Sequence, residues 1–337
     1  MGIKLTELVP RKEITWEQLN NKILAIDSSN IIFQFLSSIR QRDGTPLTDS
    51  NGNVTSHLVG LFSRTINLLT KNIKPVFVFD GKSPKLKKQE QELRRAAKEK
   101  AKEKYQEAVT LGDENLMLKY AKQATTFTKE NIEECKQLIK ALGLPIVQAP
   151  SEGEAQASYM VKKNDAWAVA SQDYDCLLYK TPRLIQNLTL SEKRKLASGL
   201  TVKITPQLIE LRKVLGHLEI DHDQLIILAI LIGTDFNPKG IKGIGPKKAL
   251  HLVQSDKSFE QIFSELQYDF DWKEIFHLIK NMPTTDKYDL KFNDINKEAI
   301  MKLLVDKHDF SEERIDSALN KIKDTPKQSS LASWLGK

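Results

Sequence analysis

The stretch AWAVASQDYD, residues Ala166–Asp175, predicts a buried β-strand that is followed by two carboxylates, Asp173 and Asp175. Short unbroken apolar runs of this kind are typical of parallel strands that helices cover on both faces. An apolar run followed by an acid occurs three more times: Lys22–Ile26 (KILAI) before Asp27, Pro75–Phe79 (PVFVF) before Asp80, and Leu144–Ala149 (LPIVQA) before Glu152 and Glu154. The sequence therefore predicts an α/β fold with a mostly parallel, twisted central sheet and helices on both faces.

A seventh acid, Asp235, follows Leu225–Ile232 (LIILAILI), a run that predicts a buried helix rather than a strand. In open α/β sheets the functional crevice lies beyond the carboxyl ends of the strands. We therefore expect all seven carboxylates to meet in one place. The alternative for each single acid is a local role as a helix cap or a turn residue.

Seven carboxylates in one place create a problem of charge. Two carboxylates about 4 Å apart repel each other by roughly 4 kcal/mol at an effective dielectric constant of about 20. Such a cluster takes up protons or binds cations, and hard divalent ions such as Mg²⁺ or Mn²⁺ suit a set of oxygen ligands. Two ions about 4 Å apart can activate a water and stabilise the leaving oxygen of a phosphodiester.

The composition of the 337-residue chain favours a phosphate-rich partner. Lys and Arg number 51 against 44 Asp and Glu, so the net charge is +7 although the predicted pocket concentrates negative charge. The two cysteines, Cys135 and Cys176, argue against a disulfide framework or a thiolate metal site. No apolar run approaches the roughly 20 residues of a membrane span, and a signal-peptide core is missing. We expect a soluble, intracellular monomer that does not contact a membrane.

A strongly charged segment follows Asp80. Lys82–Glu107 contains ten Lys or Arg and five Glu, and its residues favour a helix. Its apolar stripe is thin, with Leu93, Ala97, Ala101 and Tyr105 at four-residue steps. Such a helix is either a solvated face or a surface for another charged molecule. Its position directly after Asp80 favours contact with a substrate.

A glycine-rich segment forms the second chemical motif. In GIKGIGPKKA the alternating Gly and Ile predict a tight turn with exposed backbone amides, and the proline suits the first turn of a following helix. Free amides at a helix amino terminus bind anions, so the segment predicts a helix-hairpin-helix element that holds a DNA backbone. A purely structural turn is the alternative. The expected DNA-binding residues are Gly240, Gly243, Gly245, Lys247 and Lys248.

The last residues, 326–337, lose helical periodicity and predict a flexible tail. Within it, Gln328, Leu331, Trp334 and Leu335 have a spacing that brings the three apolar residues to one side of a single helical turn. An exposed Trp on a mobile terminus favours a partner with a pocket that receives it. The alternative is docking onto the body of the same chain.

These segments together resemble the flap endonucleases, the archaeal and eukaryotic type of structure-specific 5′ nuclease, over essentially the whole chain. The motifs that carry the resemblance are FDGKSPKLK around Asp80, APSEGEAQA around Glu152 and Glu154, SQDYDCLLY around Asp173 and Asp175, LIGTDF at Asp235, and GIKGIGPKKAL from Gly240. The resemblance implies a PIN-like 5′ nuclease fold. It also implies that the seven acids hold two Mg²⁺ ions per active site, for which Mn²⁺ can substitute.

Basic residues after Asp80 acquire roles from the same resemblance. Lys87 and Arg94 fall at the family's active-site positions at the foot of a helical arch, where they would polarise the scissile phosphate. Lys88 and Arg95 lie beside them and are themselves expected to contact DNA, and a register that is shifted by one residue stays open.

Three further DNA contacts are expected from the resemblance. Phe33 falls where the family places an aromatic side chain that stacks on a base, although a role in the core stays open. Gly2 matches the start of the family's chains, which lies near the pocket, and Arg40 is a further expected contact.

The tail resembles a motif that binds a sliding clamp of the PCNA type through residues 328–335, with Leu335 where many members have a second aromatic residue. The chain ends soon after this motif without a basic extension, which favours an archaeal-type protein that is cytoplasmic and associated with the nucleoid. The expected organisation is one nuclease domain, 1–325, followed by the tail. Its parts are the amino-terminal region 1–81, the arch 82–124, the internal nuclease region 125–235, the helix-hairpin-helix element 225–255 and the carboxy-terminal helical part 256–325.

The expected activity is cleavage of 5′ single-stranded flaps at their junction with duplex DNA by two-metal-ion hydrolysis, together with 5′–3′ exonuclease action. Such an enzyme serves DNA replication, through Okazaki fragment maturation, and DNA repair. Two alternatives stay open: a related repair nuclease that cuts bubbles or gaps, and a non-catalytic adaptor that recruits the clamp to DNA junctions. The complete set of seven acids argues against the adaptor.

Overall fold

The computed structural model describes Ile3, residues 5–188, the backbone of 193–195, and residues 201–323. Gly2 and the predicted tail, 326–337, lie outside the described residues. The strands within these ranges are β1 Lys12–Glu13, β2 Ile23–Asp27, β3 Lys74–Phe79, β4 Ile146–Gln148, β5 Ala168–Ala170, β6 Arg183–Gln186, β7 Lys193–Lys195, β8 Thr201–Lys203 and β9 Gln207–Glu210.

Seven of the strands form a single sheet in the order β1-β9-β6-β5-β2-β3-β4. The five strands from β6 to β4 run parallel, whereas β9 and β1 pair antiparallel at one edge. All four strands that the apolar runs predict are present, and the mostly parallel sheet is confirmed. The sequence also indicates a hairpin over Arg183–Lys203, which is wrong in its extent. Residues 183–186 form β6 of the main sheet, and β7 pairs antiparallel with β8.

Helices cover both faces of the sheet, as predicted. The described α-helices are α1 Ser28–Ser38, α2 Ser56–Thr70, α3 Lys88–Leu111, α4 Glu114–Gln123, α5 Lys129–Ala141, α6 Gly153–Lys162, α7 Asp175–Leu178, α8 Leu211–Leu218, α9 His222–Ile232, α10 Pro246–Val253, α11 Phe259–Ser264, α12 Trp272–Lys280, α13 Lys297–Met301 and α14 Glu312–Lys323. A 3₁₀ turn, Lys85–Lys87, precedes α3, and a π-helical segment, Lys302–Asp306, follows α13. Within the described ranges, none of these helices combines the length and apolarity that a bilayer crossing requires.

Alternate residues of each central strand enter two separate hydrophobic cores. In β3, Val76 and Val78 pack with α6 and α9, whereas Phe77 and Phe79 pack with α1, α2 and α5. This alternation follows from the two-residue period of a strand. Because both faces are buried, the strand ends are the part of the sheet that can present polar side chains to a ligand.

The arch consists of α3 and α4, which pack against each other beside the body. Gly112 ends α3 in the left-handed conformation with φ of 67°, and the Asp113 carboxylate then caps α4. The predicted apolar stripe of α3 is only partly correct. Ala101 is buried, but Leu93 is 43% exposed because the first half of α3 extends away from α4.

A buried polar network links α2 and α5 to the residues that precede α14. His57 on α2 and His308 near the carboxy-terminal helices each contact the Glu134 carboxylate of α5 at 3.0 Å. The other ring nitrogen of His308 lies 2.9 Å from Asp49. Burial would raise the pKa of the Asp49 carboxyl, but hydrogen bonds from Asn53 and His308 outweigh it and lower that pKa to about 2.

The packing of α1 on α2 predicts a stability difference between two Gly→Ala substitutions in helices. A Cβ at Gly60 would lie 2.3 Å from the ring carbon Cγ of buried Phe35, so Gly60→Ala should lower the free energy of unfolding by about 1–3 kcal/mol. At Gly216 in α8, no heavy atom of the described residues lies within 4 Å of that position, so Gly216→Ala should raise the free energy of unfolding by about 0.5–1 kcal/mol. Urea unfolding of both variants measures the difference, and equal effects would contradict the α1–α2 packing.

Candidate active site

The predicted acids meet at the carboxyl ends of four adjacent strands. Asp27 ends β2, Asp80 directly follows β3, and Asp173 lies three residues after β5. Helix α6 begins just beyond β4, with Glu152 as its N-cap and Glu154 in its first turn. Asp235 comes from a different part of the chain, three residues after α9. The remaining acid, Asp175, is the first residue of α7.

Several of these carboxylates are held by local hydrogen bonds that the strand-to-helix turns create. Asp27 caps α1, accepting from the Asn30 amide at 3.2 Å, and its second oxygen accepts from the Ser171 hydroxyl at 3.0 Å. Asp80 accepts from the Gly153 amide at 2.6 Å. These bonds point the carboxylates in fixed directions before any ligand binds.

The second acidic turn is fixed in a similar way. The backbone amide of Asp173 donates to the Ser171 hydroxyl at 3.1 Å, and the amide of Asp175 donates to an Asp173 carboxylate oxygen at 3.3 Å. The Ile3 amide, from the start of the chain, donates to Asp175 at 3.0 Å. The amino-terminal segment therefore reaches the acidic cluster, although Gly2 itself lies outside the described residues.

Burial and mutual repulsion raise the pKa of five of the carboxyls. Burial, with Asp80 next in effect, raises the pKa of Asp27 to about 7. Burial followed by neighbouring carboxylates also raises the pKa of Glu154 and Asp175 well above their usual values. The pKa values of Glu152 and Asp173 rise chiefly through burial. A site that disfavours its own negative charge in this way favours any cation that neutralises it.

Two cations from the base of the arch enter this site. The Lys87 ammonium donates to Glu152 at 2.6 Å and lies 3.1 Å from Asp235. Burial favours the neutral amine, but Glu152 and Asp235 outweigh it and hold the pKa of Lys87 above its usual value. The Arg94 guanidinium, 3.2 Å from Asp235, also pairs with Glu90. These contacts place Lys87 and Arg94 with the acids.

The alternative register, Lys88 and Arg95, faces away from the acids. The Lys88 side chain is 82% exposed and pairs only weakly, at 3.9 Å, with Glu92. Arg95 is also exposed. Residues seven apart share a helix face, so the pair 87 and 94 faces the pocket while the next pair faces solvent.

The donor set fits hard divalent cations. All seven side chains offer carboxylate oxygens, which Mg²⁺ and Mn²⁺ prefer. Lys87 and Arg94 supply only two positive charges, so they do not neutralise all seven acids. Across the described residues, no three acidic, His or Cys side chains already converge as a finished cation cage. Lys87 and Arg94 bind Glu152 and Asp235 instead. A metal ion would therefore compete with these two side chains for the same carboxylates.

Phe33 and Arg40, two predicted DNA contacts, have different surroundings. The Phe33 ring is 38% exposed on α1, and the ammonium of Lys98 on the arch lies 5.8 Å from its centroid. A role in the core is therefore wrong for Phe33. Arg40 is half-buried and donates to the Gly44 carbonyl at 2.7 Å and to the Thr125 hydroxyl at 2.6 Å. Two of its nitrogens thus hold the turn after α1 to the end of the arch.

The glycine-rich segment joins α9 to α10, as the helix-hairpin-helix prediction requires. Gly240 and Gly243 have φ of 55° and 79°, and a Cβ at Gly240 would lie 2.1 Å from the Ile232 carbonyl oxygen. Gly245 precedes Pro246, the first residue of α10. Both Lys247 and Lys248 are exposed in the first turn. The segment therefore presents positive charge at a helix amino terminus.

Some site residues were not found by sequence reasoning. Ser171, which binds Asp27, lies inside the SQDYD motif but is not itself acidic or basic. Glu90, which pairs with Arg94, is buried on an otherwise exposed helix. Glu90 and Arg94 are four residues apart in a helix, and this spacing is the signal that predicts their ion pair. Lys98 carries no signal, because its contact with Phe33 depends on how the arch packs on α1.

Family models match both acidic halves of the chain. The model of the XPG N-terminal domain matches residues 1–101, and that of the XPG I-region matches residues 143–235. Together they contain all seven predicted acids, Lys87 and Arg94. The fold and the site therefore define an XPG-type protein.

Curated relatives match over nearly the whole chain. Flap endonuclease 1 of Pyrococcus abyssi is 54% identical over 338 residues, covering 99% of this chain and 98% of the relative. The Pyrococcus furiosus protein of the same name is 52% identical, covering 99% of both. Among solved structures, flap endonuclease-1 from Methanococcus jannaschii matches with a TM-score of 0.76 and 44% identity, covering 95% of this chain and 98% of that one. The chain belongs to the flap endonuclease 1 family.

A more distant structure supports the fold alone. The catalytic core of Rad2 in complex with a DNA substrate matches with a TM-score of 0.70 at 22% identity, covering 93% of this chain and 96% of that chain. The overall fold is thus shared at low identity.

The contact between Gly153 and Asp80 predicts a variant that disturbs the site but not the fold. A Cβ at Gly153 would lie 2.8 Å from an Asp80 carboxylate oxygen, so Gly153→Ala should turn that carboxylate aside. We expect cleavage of DNA to slow by about 10–100-fold, because small misplacements of reacting groups cost rates of that order. Single-turnover cleavage and thermal unfolding measure the two effects. Gly216→Ala is the matched control, and an unchanged rate in Gly153→Ala would show that the orientation of Asp80 is unimportant.

Proposed function

We propose that this chain is a structure-specific nuclease that cuts 5′ single-stranded flaps at their junction with duplex DNA and also acts as a 5′–3′ exonuclease. The observation that carries the proposal is the contact between the buried acidic cluster and Lys87 and Arg94 of the arch. Acids that bind cations and bases that bind phosphate lie side by side, which suits hydrolysis of a polyanion. Family membership and the net positive charge support DNA as the substrate.

Two Mg²⁺ ions, for which Mn²⁺ can substitute, are the metal ions that suit the site. Asp27, Asp80, Glu152, Glu154, Asp173, Asp175 and Asp235 would hold them. When bound, such ions would lower the pKa of the water that attacks the phosphorus, and they would stabilise the oxygen that leaves. Asp27, Glu152 and Asp175 are buried, which supports this assignment, since partial exclusion of water strengthens the attraction of carboxylates for cations.

Lys87 and Arg94 are proposed to stabilise the negative charge that develops on the scissile phosphate. Without substrate they neutralise Glu152 and Asp235. Once other cations neutralise these acids, the two side chains become available to phosphate oxygens a short distance away. The same pair thus balances the charge of the free enzyme and that of the reacting phosphate.

The remaining surfaces would position the DNA. The hairpin of Gly240, Gly243, Gly245, Lys247 and Lys248 would hold the duplex backbone without reading its sequence. Phe33, which is exposed beside the arch, would stack on a base near the cut. The arch would select the free 5′ end of the flap, and Arg40 and Gly2 are proposed as further contacts. Because one chain carries all of these surfaces, the enzyme is proposed to bind DNA as a monomer.

A second partner is proposed for the tail. Gln328, Leu331, Trp334 and Leu335 suit the pocket of a sliding clamp, which would hold the enzyme at replication forks. Such an enzyme would remove flaps during Okazaki fragment maturation and repair, in the cytoplasm beside the nucleoid.

A metal-ligand variant tests the reaction. Asp175→Ala should reduce single-turnover cleavage roughly a thousandfold or more, because several kcal/mol of transition-state stabilisation depend on the ligands. Binding of flap DNA should stay largely intact, since the hairpin and arch are unchanged. The assay uses end-labelled flap, bubble, gap and blunt duplexes with Mg²⁺, with Mn²⁺ or with EDTA, and products are sized on a gel. Normal turnover by Asp175→Ala would refute the metal assignment, and faster cutting of bubbles or gaps would overturn the flap preference.

A truncation tests the clamp. Removing residues 328–335 should leave the intrinsic rate on flap DNA unchanged but abolish its stimulation by a PCNA-type clamp. Cleavage is measured with and without the clamp for both chains, and the double substitution Leu331→Ala and Trp334→Ala is the narrower comparison. Equal stimulation of the full and truncated chains would exclude the tail as the clamp-binding element.

A further inference from the structure

Leu86 and Lys87 are neighbours in the 3₁₀ turn before α3, but their side chains lie in different surroundings. Lys87 reaches the carboxylates of Glu152 and Asp235. Leu86 is partly buried and packs against the core that contains α9 and α12. In a 3₁₀ turn consecutive side chains are about 120° apart, so the direction of one fixes the direction of the next.

Apolar side chains from the carboxy-terminal part of the chain lie near Leu86, together with charged ones such as Lys85, Glu92 and Asp271. On one side it shares a cavity of about 400 Å³ with Phe236, Phe270 and Ile275. On the other side it shares a cavity of about 660 Å³ that also includes Leu278 of α12. Leu86 thus lies between two spaces that leave room for a larger side chain.

This contact is the apolar attachment of the segment that leads into the arch. The chain just before it is held by backbone bonds, from Gly81 to the Ser151 carbonyl at 2.7 Å and from Lys82 to the Pro150 carbonyl at 3.1 Å. Among residues 83–88, all within the described part of the chain, Leu86 is the residue that packs against this hydrophobic core. The position of the turn therefore depends on it.

The contact matters most when substrate is present. The ion pairs of Lys87 hold it in place only while Glu152 and Asp235 are free to accept them, and these acids are shared with cations during the reaction. A phosphate then draws the lysine toward a new partner. The apolar contact of Leu86 involves no charge, so it persists through this exchange. It can keep the backbone of Lys87 at a constant distance from the acids while the ammonium changes partners.

We propose that Leu86 is a positioning residue that acts through Lys87, holding the foot of the arch so that the ammonium reaches the scissile phosphate. The inference rests on the catalytic role proposed for Lys87. It assigns to α12 and Phe236, which carry none of the predicted metal ligands, a part in the alignment of the reacting phosphate.

A double-mutant cycle with Leu86→Ala, Lys87→Ala and the combined variant tests the inference. Leu86→Ala should slow single-turnover cleavage of flap DNA by about 10–100-fold, with the dissociation constant for flap DNA in EDTA changed less than about threefold. The combined variant should be no slower than Lys87→Ala alone, because Leu86 acts only through the lysine. Leu86→Met should restore most of the rate, because the flanking cavities accommodate its longer side chain.

Leu215→Ala is the matched control, since Leu215 on α8 is also partly buried against the same core. It should lower the urea midpoint about as much as Leu86→Ala while cleaving at the normal rate. If the effects of Leu86→Ala and Lys87→Ala multiply, or if Leu86→Ala cleaves normally while Lys87→Ala is slow, the positioning inference is wrong and the proposed reaction stands. If Lys87→Ala cleaves at the normal rate, the proposed role of Lys87 is wrong as well.

Discussion

Repulsion among buried carboxylates is the constraint on which the rest of this structure depends. Burial and neighbouring acids raise the pKa of Asp27 to about 7 and those of Glu154 and Asp175 well above their usual values. The fold accepts this cost by aiming backbone amides at several of the acids and by placing Lys87 between two others. The order of the strands brings the acids together, because four adjacent parallel strands end at the same edge of the sheet.

The arch also reduces the repulsion among the acids, because its base supplies the positive charges of Lys87 and Arg94. It has too little apolar surface to form a core of its own, and Leu93 in its first half remains 43% exposed. Its base is instead attached by two kinds of contact, the ion pairs of Lys87 and Arg94 and the apolar packing of Leu86. Charge attracts the arch to the acids, and apolar contact fixes its position. In the proposed reaction, the ionic partners of this base would be exchanged for phosphates while its apolar contact stays in place.

Much of the fold could be predicted from the sequence, because its signals are local. Unbroken apolar runs predicted strands β2 to β5, and the glycine spacing predicted the turn between α9 and α10. Errors arose where the outcome depends on distant packing. The hairpin was placed too early because β6 belongs to the main sheet, where it pairs with β5 and β9, whereas β7 pairs with β8. The apolar stripe of α3 was overestimated because α4 covers only the second half of the helix.

By itself, the sequence determined which residues are candidates for the chemistry: seven acids after apolar runs, a basic helix after Asp80 and a glycine-rich turn. Tertiary structure decided how they are used. It selected Lys87 over Lys88, because only one face of a helix can meet the acids, and it brought Asp235 to the site from beyond α9. It also joined His57 to His308 through Glu134. Local patterns specify strands and turns, whereas contacts between residues far apart in the chain depend on how whole elements pack.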